Sequence, residues 1–241
     1  MAMNYEWKYF EFKKVGSTND KIREYCQSEG QCVVVRADTQ TAGRGRWGRS
    51  WQSAAGNLFF SAAFEFDIKE AGKLAFICSL SLLQALKKIA PSADILLKWP
   101  NDVLLNGAKV SGILLEKGEG NYIIAGIGVN VAVAPKVENA VYKITSLSDA
   151  AIKTTAPELM LLFMESFSQN LSLLQTKGFA VLRTEWLKYA KNLGKEIIVR
   201  QNGKEWKGVF AGIDEDAVLL MQTPAGVRKI LAGDVFFEEI K

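Results

Sequence analysis

The sequence predicts an α+β protein, a mixed β-sheet packed with helices followed by a small C-terminal β-barrel. Three observations carry that expectation. Compact β-branched and aromatic runs recur between residues 32 and 131, and a long apolar helix interrupts them. Two further amphipathic helices follow Pro157. After Gly194 the pattern changes to four short alternating strands at regular turn spacing, the signature of a small barrel. At 241 residues the chain can hold one large domain and an appendage, and the change of pattern divides it into 1–190 and 191–241.

Taken in order, Ser17-Thr18-Asn19-Asp20 has the S-x-x-D form of a helix start, with Ile22, Tyr25 and Cys26 on the short helix behind it. Residues 32–35 and 57–66 read as strands on either side of a glycine- and arginine-rich loop. Residues 74–90 form the apolar helix, too short and too often broken by Ser and Lys to span a bilayer. Residues 96–99, 103–105, 108–115 and 122–131 read as strands, and Asn106-Gly107 between two of them predicts a type I′ hairpin. Met160, Phe163, Phe167, Leu171 and Leu174 keep helical spacing, as do Phe179, Leu182, Trp186 and Tyr189. Strands 196–200, 205–213, 217–222 and 227–231 are separated by Asn202-Gly203, 214–216 and 224–226.

Composition narrows the chemistry. Apolar residues make up 49% and charged residues 23%, as in ordinary globular proteins, and a net charge of +4 argues against bulk binding of nucleic acid or anionic membrane. The chain has no histidine, which excludes imidazole-based zinc sites, Ser-His-Asp triads and Cys-His pairs. Cys26, Cys32 and Cys78 lie scattered in apolar runs and read as reduced core residues. Residues 1–14 mix charge with aromatics and lack the apolar core of a signal peptide, so the expected location is the cytoplasm.

The densest chemistry lies at residues 43–51, GRGRWGRSW. Three guanidinium groups in nine positions repel one another unless an anion sits among them. The glycines let backbone N–H groups approach that anion. Gly43 to Gly48 also spells G-x-G-x-x-G, but the residues that follow have no helical apolar face, so the dinucleotide-binding reading fails. No G-K-[ST] is present for a P-loop. A folded site for a phosphorylated small molecule remains.

A second constellation is Lys98-Trp99-Pro100-Asn101-Asp102, followed across the hairpin by Lys109-Val110-Ser111-Gly112. Pairing Leu105 with Ala108 sets Leu104 opposite Lys109, which puts Asp102 and Lys109 on one face as diagonal neighbours, roughly 7–8 Å apart. Such a pair can flank one ligand, or form a simple cross-strand ion pair. Gly126-Ile127-Gly128-Val129-Asn130 is the third element. Glycines within a strand mark close approach of a ligand or backbone, and Asn130 offers both a donor and an acceptor.

Ser17-Thr18-Asn19, Gln40-Thr41-Ala42 leading into 43–51, KWPND at 98–102, Lys109-Val110-Ser111-Gly112-Ile113-Leu114 and Gly126-Ile127-Gly128-Val129-Asn130, in this order, resemble the biotin protein ligases. The resemblance implies a catalytic domain like that of class II aminoacyl-tRNA synthetases and an SH3-like C-terminal barrel. It also implies an ATP- and Mg²⁺-dependent reaction that makes biotinyl-5′-AMP and then biotinylates a lysine of a biotin carboxyl carrier protein. By the same resemblance Ser17, Thr18, Asn19 and Gln40 bind biotin, with Gly43, Gly45 and Gly112 at close approach. Arg44, Arg46 and Arg49 neutralise carboxylate and phosphates, and Lys109 bridges the two. Lys98, Asn101 and Asp102 serve ATP, Asp102 as a Mg²⁺ ligand, while Trp51 and Asn130 meet adenine. The arginine loop is expected to lack counter-charge, and hence order, until the adenylate binds.

Two neighbouring functions stay open on the same resemblance. Some family members also repress transcription through an N-terminal helix-turn-helix, but only 16 residues precede Ser17 here, so DNA is not an expected partner. Lipoate or octanoate ligation runs on a related fold. Family members occur as monomers and dimers, so a homodimer stays open.

Overall fold

The computed structural model describes residues 5–26, 31–136, 143–201 and 203–237. Residues 1–4 of the N-terminal stretch and Asn202 of the expected turn lie outside them. The N-terminal part is built on seven strands: β1 (Trp7–Val15), β2 (Cys32–Gln40), β3 (Leu58–Glu65), β4 (Ile95–Lys98), β5 (Asp102–Leu105), β6 (Ala108–Lys117) and β7 (Tyr122–Val129). Their order is β1-β2-β3-β7-β6-β5-β4, with β1 parallel to β2 and every other pair antiparallel. The sheet is therefore mixed, as expected.

The sequence reading has no strand before residue 32, yet β1 is nine residues long. Its side chains are mostly exposed, because it is an edge strand with charges on the solvent side, and such a strand lacks the apolar run that identifies β2 or β3. Asn106 and Gly107 take φ of 50° and 76°, both left-handed, as a type I′ turn requires.

One face of the sheet carries three helices, α2 (Ala71–Ile89), α3 (Ala156–Lys177) and α4 (Phe179–Lys188). The serines that interrupt the apolar run of α2 join it to its neighbours. Trp186 Nε1 donates to Ser79 Oγ at 3.0 Å, and Asn170 Nδ2 donates to Ser81 Oγ at 2.9 Å. Each hydroxyl in turn donates to its own helix, to the carbonyls of Phe76 and Ile77, so no buried polar atom of these serines is unpaired. A Thr155–Glu158 capping box starts α3. Phe163 stacks on Phe167 and meets Phe60 of β3 edge-on, which fixes α3 over the sheet.

The opposite face is covered at one end only. There α1 (Thr18–Lys21) and a 3₁₀ turn at Ile22–Tyr25 bury Ile22 and Cys26 against Val33, Val35, Ala63 and Ile124. Ser17 precedes α1 in extended backbone and its side chain makes no capping hydrogen bond. The expected short helix is a single α-turn continued by a 3₁₀ turn, and its buried Thr18 and Asn19 face the sheet. The rest of this second face is open, and the functional residues lie there.

The C-terminal strands are β8 (Glu196–Gln201), β9 (Lys204–Ile213), β10 (Leu219–Thr223), β11 (Gly226–Ile230) and β12 (Asp234–Phe236). They form an antiparallel sheet ordered β11-β10-β9-β8-β12, bent by a bulge at Leu220/Met221. Four of the five strands follow the sequence pattern. The fifth, β12, is three residues long and too short to show an alternation. Val199, Phe210, Leu219, Met221 and Val235 are buried and continuous with the core beneath α2–α4, so both sheets share one apolar interior. No helix among the described residues is long and apolar enough to cross a membrane. Phe163→Ala should destabilise the fold by about 3–5 kcal/mol, read as a lowered urea midpoint with an unchanged slope.

Candidate active site

The glycine-arginine loop folds back on itself as a narrow hairpin. Trp51 N donates to Gly43 O at 2.9 Å, Gly45 N to Arg49 O at 2.6 Å, and Arg44 bridges Ser50. A Cβ on Gly43 would lie 2.6 Å from the Trp51 carbonyl oxygen, so only glycine fits where the two arms meet. No helix follows the loop, which removes the basis for a dinucleotide fold. At its tip Trp47 is left-handed (φ 59°, ψ 34°) and exposed.

The hairpin lies over the open face of the sheet, and the strands beneath it are cleared of side chains where it sits. Lys98, Asp102, Gly112 and Gly128 pair in one row across β4, β5, β6 and β7. A Cβ on Gly128 would be 2.5 Å from the Trp51 indole, and one on Gly112 would be 3.0 Å from it. One row along, a Cβ on Gly126 would overlap the amide of Asn19. Glycines 112, 126 and 128 thus leave the space that Trp51 and Asn19 fill.

At one end of the cavity lies a hydrogen-bonding pole. Thr18 donates to Gln40 Oε1 through its backbone N–H (2.8 Å) and hydroxyl (3.2 Å), which fixes the Gln40 amide. Ser61 Oγ sits 2.8 Å from Thr18 Oγ1 and 2.6 Å from Asn19 Oδ1. Ser17, Thr18 and Asn19 are all buried. Three strand spacings away, about 14 Å at ~4.8 Å each, lies a cationic pole. Lys109 Nζ is 2.5 Å from Asp102 Oδ1, and Lys98 Nζ is 3.7 Å from Asp102 Oδ2. The expected shared face holds, with one correction to the register. A bulge between Val103 and Leu104 sets Asp102 opposite Gly112 where an unbroken ladder would give Ser111. Ser111 is buried and donates to Gly128 O at 2.7 Å. Gly112 leaves the Lys109 side chain room to lie across β6, 3.3 Å from where a Cβ would stand. Burial pushes the Lys98 ammonium down to about 8, against the pull of Asp102.

The three arginines are not bare. Arg44 makes two 2.7 Å hydrogen bonds to Asp20 and reaches Glu116 at 3.2 Å, and the bond to Asp20 raises its already high pKa while lowering that of the carboxyl. Arg49 donates to both oxygens of Asp234, at 2.9 and 3.1 Å. Arg46, the most buried of the three, donates to Asn101 Oδ1 at 3.2 Å and to the Gly233 carbonyl at 3.4 Å. Asn101 is itself anchored, donating from Nδ2 to Ile113 O at 2.6 Å. The expectation that the loop lacks counter-charge without ligand is therefore wrong for this structure: carboxylates and carbonyls of the chain supply it.

Every residue singled out in the sequence reaches this region, and most line a single cavity of about 270 Å³. Gly43 stands at the hairpin base, and Lys98 lies beneath Asp102 in the floor. Ser61, Asp20, Glu116, Gly233 and Asp234 were not anticipated. Asp20 was read only as part of a helix start, Ser61, Glu116 and Gly233 carry no motif of their own, and Asp234 comes from a strand whose sequence shows no pattern. Apart from Asp102 Oδ1, whose partner is the Lys109 ammonium, three buried polar atoms of the cavity have no hydrogen-bond partner among the described residues: Asn19 Nδ2, Trp51 Nε1 and Asn130 Oδ1. Asn130 is otherwise fixed, donating from Nδ2 to Thr145 O at 3.0 Å. Orphaned donors and acceptors inside one cavity indicate a polar ligand. No three His, Cys, Asp or Glu side chains converge as a metal cage among the described residues. The carboxylates of Asp102 and Asp234 suit an ion such as Mg²⁺, which arrives with phosphates and takes one or two protein carboxylates.

Comparison with known proteins agrees with this geometry. Residues 9–131 match the Biotin/lipoate A/B protein ligase family, and 193–238 match the Biotin protein ligase C terminal domain. The chain is 39% identical over 235 residues to a biotin–[acetyl-CoA-carboxylase] ligase of Paracoccus denitrificans, covering 93% of this chain and 98% of that protein. It is 34% identical over 218 residues to the bifunctional ligase/repressor BirA of Bacillus subtilis, covering 86% of this chain and 66% of that protein. Among solved structures it superposes on the biotin protein ligase from Aquifex aeolicus in complex with biotin and ATP. The TM-score is 0.82 at 32% identity, over 95% of this chain and 97% of that one. The chain is a member of the biotin protein ligase family.

Proposed function

We propose that the chain is a biotin–[acetyl-CoA-carboxylase] ligase, with residues 1–190 as the catalytic unit and 191–241 as a β-unit that completes the site. The observation that carries this reading is one cavity with a hydrogen-bonding pole, a cationic pole and unpaired polar atoms between them. Biotin has matching ends, a urea-containing ring and a carboxylate on a flexible chain. Ser17, Thr18, Asn19 and Gln40 receive the ring, and the backbone of Gly43, Gly45 and Gly112 closes on the ligand.

The carboxylate then lies at Lys109. A carboxylate oxygen attacks the α-phosphorus of ATP, the bond to the bridging oxygen breaks, and pyrophosphate leaves. Two anions must meet, so the barrier falls if cations are already fixed where they converge. Lys109, turning from Asp102 to the ligand, bridges carboxylate and α-phosphate, and Arg44, Arg46 and Arg49 stabilise the charge around them. Lys98 remains behind Asp102 and keeps that carboxylate paired. Asn101 orients Arg46. Asn130 Oδ1 accepts from the adenine amino group, against the Trp51 ring. Mg²⁺ held by Asp102 beside the phosphates would neutralise charge on the leaving pyrophosphate.

In the second step the amine of a carrier-protein lysine attacks the acyl carbon, the acyl–phosphate oxygen bond breaks, and AMP leaves. The partner in this reading is a biotin carboxyl carrier protein, and the setting is the cytoplasm. Operator DNA is not a partner, which a gel shift tests. Homodimer formation is read from sedimentation.

Lipoate ligation is the alternative, since the family model spans both chemistries. Biotin should support ATP–pyrophosphate exchange and lipoate should not. Comparable exchange with lipoate would overturn the reading. Lys109→Ala should slow adenylation by about 10²–10³-fold, a loss of roughly 3–4 kcal/mol of transition-state stabilisation. Near-normal exchange would remove Lys109 from its role. Gly126→Ala should displace Asn19 and raise the KM for biotin by about tenfold or more, with little change in the KM for ATP. Parallel rises in both would mean that the whole cavity, and not the ring pole alone, depends on that glycine.

A further inference from the structure

Outside the cavity, between the tip of the arginine hairpin and the C-terminal sheet, lies an open cleft lined by Trp47, Arg49, Arg200, Gln201 and Asp234. Arg49 and Asp234 line both this cleft and the main cavity, so their hydrogen-bonded pair forms the partition between the two. Asp234 and Arg200 are directly opposite each other on β12 and β8. The Arg200 guanidinium lies 4.5 Å over the Phe236 ring and donates through Nε to Glu205 at 2.7 Å, which holds it at the cleft wall. Trp47, left-handed and 60% exposed, stands at the mouth with Arg46 packed 5.4 Å from its ring. A non-glycine residue in that conformation is strained, and such strain collects where function requires it.

The position of this cleft fits the direction of the chemistry. In an in-line displacement the leaving group departs on the side of phosphorus opposite the attacking oxygen. The attacking carboxylate comes from the hydrogen-bonding pole over β2, β3 and β7. The opposite direction runs over β5 and β4 to the Arg49–Asp234 pair and the cleft behind it. A trianionic or tetra-anionic leaving group also needs cations that are not needed by the adenylate that stays behind.

We propose that this cleft is a pyrophosphate site, in which Arg49 exchanges Asp234 for the leaving group and Arg200 receives it on the outer side. The proposal deepens the ligase reading and rests on it for its place in the reaction. No bond is made or broken in the cleft: pyrophosphate, already cleaved from ATP, moves from Arg46 and Arg49 to Arg49 and Arg200. Arg200 belongs to the C-terminal sheet, so the appended β-unit acquires a part in product release.

The test is calorimetric titration of the full chain, without other substrates, with inorganic pyrophosphate. Arg200→Gln should weaken binding about tenfold, the scale of one lost charge-assisted interaction. It should also raise the KM for pyrophosphate in the reverse reaction by a similar factor. Arg228→Gln removes an equal charge from the same sheet, where Arg228 stacks on Trp206, and should change neither value. Undetectable pyrophosphate binding by the wild-type chain would overturn the proposal. So would unchanged binding by Arg200→Gln, or equal weakening by Arg228→Gln. Failure of the ligase reading has a separate sign, the absence of biotin-dependent exchange in the wild-type chain, which leaves the titration readable.

Discussion

The constraint on which this structure depends is electrostatic: five cations are gathered around one cavity, and each must be compensated before any ligand arrives. The chain does this with its own acceptors. Asp20 and Glu116 hold Arg44, Asp234 holds Arg49, Asp102 lies between Lys98 and Lys109, and a carbonyl and an amide oxygen receive Arg46. Close like charges in a partly buried site cost several kcal/mol if left alone, so these partners are a condition of folding the loop against the sheet. Each partner is also replaceable. A phosphate or carboxylate offers an arginine the same planar pair of oxygens. Ligand binding thus becomes an exchange of anions, with little need for new order.

The fold arranges where that exchange takes place. Helices cover only one face of the seven-stranded sheet, and α1 covers one end of the other. What remains is a strip across β7, β6, β5 and β4, and the glycines at 112, 126 and 128 lower its floor so that an indole and an amide can lie on the backbone itself. A sheet offers such a strip at fixed ~4.8 Å intervals. The separation of the two poles therefore follows from strand order, with no dependence on loop conformation.

Much of this was legible in the sequence. The strands β2 to β7 and the three long helices are announced by apolar periodicity, because each buries one face. Residues 43–51, 98–102, 109–112 and 126–130 announce themselves by chemistry that a solvated surface does not need. The unread parts have physical reasons. β1 is an edge strand with a solvated side, and β12 is three residues long. The bulge at Val110 lies in a run whose composition fits an unbroken ladder equally well. Asp20, Glu116 and Asp234 are ordinary surface carboxylates until the chain brings an arginine to them. Charge pairs between distant segments leave no periodic trace, so the partners of the three arginines are set by the fold and not by local pattern.

The turn between β11 and β12 has a bearing on how this family can vary. Gly233 sits at φ 152°, and a Cβ there would lie 2.9 Å from Val199, so the backbone passes β8 with no room for a side chain. The next two groups along the chain, the Gly233 carbonyl and the Asp234 carboxylate, are the ones that receive Arg46 and Arg49. Surface turns usually drift in length between relatives at little cost. This one cannot gain or lose a residue without withdrawing both acceptors from a loop almost two hundred positions earlier. Its length is a coordinate of the reaction centre, set from the far end of the chain.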